Sequence, residues 1–159
     1  TYNLPEAQLD RFLMKISIGY PSIQDENHMV NIHINGSTLK SLEPVTDGET
    51  IEVMLNEVKK VKVDKELISY VINIVNETRV NPNLSLGASP RATLAVIRAS
   101  QATAYYDGRD YVIPDDIIKI AHHVLIHRLI LSSEARINRM TADKIFEGII
   151  SRIKVPVLK

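Results

Sequence analysis

Cysteine is absent from the 159 residues, which excludes disulfides, thiolate metal ligands and cysteine nucleophiles together and suits a cytoplasmic protein. There is no excess of charge of either sign. Nineteen lysines and arginines balance nineteen acids, so no global field steers the chain to nucleic acid or an anionic membrane. No apolar run approaches the roughly 20 residues of a membrane span, and no secretory leader is visible. The six glycines are scattered singly. A Gly-x-x-x-x-Gly-Lys-Ser/Thr loop to cradle phosphate is missing, as is a hydrophobic strand ending in paired acids to hold magnesium. No nucleophile, base and acid triplet can be assembled. Asp115 and Asp116 are adjacent, so on a helix they diverge by about 100° and read as first-turn acids.

What is present is helical periodicity. A hydrophobic content of 45% supports one ordinary core with a small appendage. Pro5 leads a short helix over 5–12 with Leu9 and Phe12 as its buried positions. Residues 12–18 then alternate as a strand, stopped by Gly19-Tyr20-Pro21. That strand has no neighbour in the chain and needs partners from another domain. Helices are predicted over 22–34, 46–57, 64–79, 90–106, 114–131 and 141–153, with 35–44 a polar loop and 61–63 an extended link. Ile51, Met54, Leu55 and Val58 are expected to face inward. So is the wide face of Leu67, Ile68, Val71, Ile72, Ile74 and Val75, capped by Asp64. Five alanines in 90–106 allow another helix close approach, and Asp107-Gly108 closes that helix.

The segment Gly87-Ala88-Ser89-Pro90-Arg91-Ala92 has the chemistry of an anion site. Ser89 is a good N-cap and Pro90 suits the first helical position. Arg91 then sits in the first turn, where the helix dipole disfavours a cation. Free amides, a positive dipole end and a guanidinium at one point suit a phosphate, although a surface arginine beside a capped helix is an equally simple reading.

Taken with residues 4–12, LPEAQLDRF, and the following MKISIGYPS, this GASPRA segment resembles the MoxR branch of the AAA+ ATPases. DGRDYVIPDDI and HHVLIHRL continue the resemblance in order, so it covers most of the chain. It implies a mainly α architecture: a helical-bundle lid domain over 22–159, preceded over 1–21 by a helix and strand from the end of the α/β nucleotide-binding core. The cofactors implied are ATP and Mg2+, with the magnesium ligands outside this chain. Without the phosphate-binding loop, the chain alone is expected to be inactive. Implied partners are a homo-oligomeric ring, a hexamer, and client proteins, including proteins with von Willebrand factor A domains. No nucleic acid or membrane span is implied.

By the same resemblance, Arg11 is the arginine finger reaching a neighbour's nucleotide, and Arg91 is the sensor-2 arginine touching its own subunit's ATP. Ser89 and Pro90 belong to that second motif, and Tyr20 and Pro21 are placed to line an adenine pocket. Where the family carries a capping Thr before Pro114, this chain has Ile113, which should weaken that helix start. Glu6 and Arg98 receive no settled role. His123 and His127 are four apart on one helix face, yet with His122 they lack a third ligand at helical spacing. Two other readings stand beside this one. One is a free-standing helical module binding DNA or protein; the other is a lid from a magnesium-chelatase-like or minichromosome-maintenance-like subunit.

Overall fold

Helix starts follow the side chains available to satisfy the first free amides. In the computed structural model, which describes residues 4–36 and 42–157, Ser22 and Asp25 form a reciprocal capping box at the head of α2 (Ile23–Ile34). Asp64 accepts from the Glu66 amide at 2.7 Å to open α4 (Lys65–Val80). Ser132 caps α7 (Ser133–Ile137) and Thr141 caps α8 (Ala142–Arg152). The remaining elements are α1 (Glu6–Leu9), α3 (Gly48–Lys60), β1 (Leu84–Leu86), α5 (Pro90–Tyr106), α6 (Pro114–Leu125) and β2 (Ile130–Leu131). None of the described helices is long and apolar enough to cross a membrane.

Contacts divide the chain into two units, Thr1–Lys15 with Asn56–Lys159, and Ile16–Leu55. The first holds the core. Leu67, Val71, Ile74 and Val75 of α4, Val96 and Ala99 of α5, Ile117, Val124 and Leu125 of α6, and Ile145 and Ile149 of α8 are all buried. The α5 alanines do their expected work: Ala92, Ala95, Ala99 and Ala104 are buried, and α5 packs most extensively on α6. Ile68 and Ile72 lie outside this core, 37% and 42% exposed, so the α4 apolar face is narrower than predicted.

The second unit contains α2 and the first part of α3, and none of its described residues is buried. Ile51, Met54 and Leu55, expected inward, are exposed. Two short helices cannot enclose an interior of their own.

Three further expectations are corrected. Residues 12–18 form no strand; they run irregularly, and Phe12 is 56% exposed rather than buried. A strand lacking a partner has nothing to satisfy its ladder, and here the Lys15 amide donates instead to the His123 carbonyl at 2.9 Å. Strand pairing occurs elsewhere. β1 and β2 pair antiparallel, Leu84 opposite Leu131 and Leu86 opposite Ile130, in pieces too short to carry a period. Finally, α6 ends at Leu125 rather than Leu131, because 126–128 tighten into a 3-10 turn and 130–131 are taken by β2. Part of the predicted 35–44 loop, residues 37–41, lies outside the described residues.

The loop into α5 is fixed from behind by the end of α4. A Cβ on Gly87 would lie 2.5 Å from the Thr78 carbonyl oxygen and 2.7 Å from the Arg79 Cα, so only glycine permits this approach. Thr78 Oγ1 accepts from the Ala88 amide at 2.9 Å, and Arg79 Nε donates to the Ala88 carbonyl at 2.9 Å. Gly87→Ala should lower the unfolding free energy by about 1–3 kcal/mol in chemical denaturation. In contrast, Gly148→Ala, within α8 with nothing inside 4 Å of the added Cβ, should raise it by roughly 0.5–1 kcal/mol.

Candidate functional site

The site grows from a buried arginine. The Arg128 side chain is only 2% exposed and closes the 3-10 turn that follows α6. Its Nε donates to Asp10 Oδ1 at 3.1 Å, and its terminal nitrogens donate to the carbonyls of Asp10 (3.1 Å), Phe12 (2.5 Å), Leu13 (3.3 Å) and Val124. Four of these bonds satisfy the irregular segment after α1 that no ladder serves, and the fifth ties it to α6. Burial presses the Arg128 pKa down, Asp10 opposes that effect, and the charge of Arg91 adds to it. A guanidinium nevertheless stays protonated.

Ser89 does not cap α5. Its hydroxyl donates instead to both Asp10 oxygens, at 2.9 and 3.0 Å. The Ala92 amide, which a capping hydroxyl would serve, donates instead to the Ser89 carbonyl at 3.0 Å. LPEAQLDRF and GASPRA therefore meet at the Asp10 carboxylate.

With the backbone held there, Arg11 and Arg91 line one open groove of about 260 Å3 together with Leu13, Leu94, Arg98 and Arg128. Arg91 and Arg98 stand two turns apart on one face of α5, as their spacing requires. Among the described residues, the side chains of Arg11, Arg91 and Arg98 make no hydrogen bond or ion pair. Three solvent-facing guanidinia without acid partners, one of them against a helix dipole, fit an oxyanion with several acceptor oxygens. A larger cavity of about 630 Å3 is lined by Glu6, Asp10, Arg79, Leu86, Ser89 and His127, among others. Tyr20 and Pro21 belong to the Ile16–Leu55 unit, where both are exposed.

The histidines do not converge. His122 Nε2 lies 2.8 Å from Asp143 Oδ1, and His123 is exposed. Among the described residues no three His, Asp or Glu side chains are placed to hold a metal ion. His127 Nε2 lies 3.1 Å from Arg128 Nη1, and its buried Nδ1 has no hydrogen-bond partner among the described residues. Burial, then the Arg128 charge, lowers the His127 pKa.

The DGRDYVIPDDI segment is structural. Arg109 grips the buried Asp116 carboxylate with two bonds of 2.8 and 2.7 Å, and the Ile113 amide donates to the same group at 2.9 Å. Burial opposes ionisation of Asp116, but these partners outweigh it and hold its pKa below the usual carboxylate value. Half of a capping box is thereby supplied from inside the helix, which compensates for Ile113 having no side-chain acceptor.

Residues 76–149 match the AAA lid domain family. YeaC of Bacillus subtilis, a protein of uncharacterised function, is 43% identical over 157 residues, covering 99% of this chain and 49% of its own. Chaperone MoxR1 of Mycobacterium tuberculosis is 33% identical over 167 residues, covering 98% of this chain and 43% of its own. A solved Cytophaga hutchinsonii structure with a provisional ATPase assignment superposes with a TM-score of 0.88 at 31% identity, over 98% of this chain and 50% of that one. The chain spans about half the length of the relatives it matches.

A pH dependence follows from His127. Its folded pKa lies below the unfolded value of about 6.5, so its stabilising contribution is complete above that pH and lost as pH falls towards the folded pKa. Wild-type unfolding free energy should therefore decline below about pH 6.5, and His127→Gln should flatten this slope in urea titrations at successive pH values. A further loss below about pH 3.9, as Asp116 protonates, should persist in that variant.

Proposed function

We infer that the chain belongs to the MoxR family of AAA+ ATPases, and that it is the arginine-finger and lid portion of an enzyme hydrolysing ATP to remodel or mature client proteins. The observation that carries this reading is the groove shared by Arg11 and Arg91, with their guanidinia unpaired among the described residues. Arg11 is the finger: its guanidinium donates to oxygens of the transferring phosphoryl group and stabilises the charge that develops there. Arg91 is the sensor-2 group, binding phosphate oxygens from the head of α5 and linking their presence to the position of the lid. ATP supplies the phosphoanhydride whose cleavage drives the remodelling. Magnesium is held by residues outside this chain, consistent with a groove lined by cations and apolar side chains rather than acids. Tyr20 and Pro21 are proposed for the adenine side, and a hexameric ring in the cytoplasm is the assembly in which a finger has a neighbour to serve. Von Willebrand factor A domain proteins are the client class that the family resemblance suggests.

The shared groove refines one point. The family resemblance divided the two arginines between two nucleotides, Arg11 on the neighbour's and Arg91 on its own. Side chains lining one groove are better placed to meet a single nucleotide, so both are assigned here to the neighbour's ATP. In the assembled full-length enzyme, Arg11→Ala should cut kcat on the order of 10³–10⁵-fold while nucleotide binding is retained. Arg91→Ala should lower turnover, nucleotide affinity or both. Mixing Arg91→Ala subunits with subunits whose phosphate-binding loop is disabled should restore hydrolysis if Arg91 acts across the boundary. No restoration would return Arg91 to its own subunit's site, and unchanged kinetics in either single variant would remove that arginine's role.

A further inference from the structure

Asp10 directly precedes Arg11, and Ser89 stands two residues before Arg91. These two spare positions are joined, because the Ser89 hydroxyl donates to both Asp10 carboxylate oxygens at 2.9 and 3.0 Å. Ser89 gives up its helix-capping role to do so. Asp10 is itself immobilised by Arg128 at its carboxylate and its carbonyl, both at 3.1 Å. One hydrogen-bonded acid therefore ties the backbone carrying Arg11 to the backbone carrying Arg91. The tie is anchored on a side chain with no room to swing.

We propose that Asp10 is a positioning residue that couples the two guanidinia: through Ser89 it holds Arg11 at a set spacing from Arg91, so that both engage one anionic group together. This rests on the functional reading above and adds to it the group that sets the spacing. Two cations facing the same groove repel each other, and without a tie they would separate when no anion is bound. A short polar link through a carboxylate opposes that separation while leaving both guanidinia free. Displacement of the α5 start when its anion departs would be passed to Arg11 through a single bond rather than through the whole helical bundle. Misplacement of a catalytic group by about 1 Å is enough to cost on the order of 10²-fold in rate.

The test is a double-mutant cycle in the assembled full-length ATPase, reading kcat and nucleotide Kd. Ser89→Ala should lower kcat by about tenfold with Kd little changed, and Ser89→Thr, which keeps the hydroxyl, should restore most of the rate. In the Arg11→Ala background, Ser89→Ala should cost less than about twofold, because the residue it positions is gone. A Ser89→Ala loss that is equally large in both backgrounds would overturn the coupling and leave a structural tether. So would no loss at all while Arg11→Ala remains severe. If Arg11→Ala itself leaves kcat unchanged, the finger assignment fails first and the coupling falls with it.

Discussion

The structure around the groove depends on the burial of one guanidinium. Arg128 sits almost wholly out of solvent, and a buried cation is tolerable only when every donor is matched and an opposite charge is close. Asp10 supplies the charge, while the carbonyls of Asp10, Phe12, Leu13 and Val124 supply the acceptors. The dependence runs both ways. Residues 10–13 have no strand or helix of their own, so their carbonyls would be left unserved if the arginine were lost. An irregular segment thereby acquires a defined path, and Arg11 a defined origin.

A second anchor works by exclusion rather than by charge. Gly87 lets the loop press against the α4 backbone, and Thr78 and Arg79 hold Ala88 at its amide and its carbonyl. Both arginine-bearing segments are thus fixed from the core side by satisfied groups. The side facing the groove is the reverse: three guanidinia together, and Arg91 in a helix first turn that disfavours cations. Local rules are kept where the scaffold is built and broken where the ligand is expected, the distribution anticipated for a functional site.

Where propensity and capping decide the outcome, the sequence was legible. The α5 limits of Pro90 and Tyr106, the Asp64 and Thr141 caps, and the buried alanine stripe follow from local chemistry alone. Tertiary bonds decided the rest. Ser89 looks like an N-cap and becomes one only if nothing better is near; a carboxylate 79 positions earlier in the chain is better. Alternation over 12–18 is a strand signal, but a ladder needs a partner that periodicity cannot supply. Arg128 closes the 3-10 turn after α6, and its partners become visible only when residues 10–13 are placed beside it. Its only trace in the sequence was that HRL and LDRF belong to the same family pattern, without any hint that they touch.

The most direct measurement is amide hydrogen exchange on Arg128→Lys, which keeps the charge and removes the planar fork. Fewer donors can then reach the Asp10, Phe12 and Leu13 carbonyls and the Asp10 carboxylate at once. Exchange should accelerate across residues 10–15, including the Lys15 amide bonded to His123, while the buried turns of α4, α5 and α6 keep their protection. Unchanged exchange over 10–15 would show that the segment is held by something other than this guanidinium, and the account built on Arg128 would be wrong.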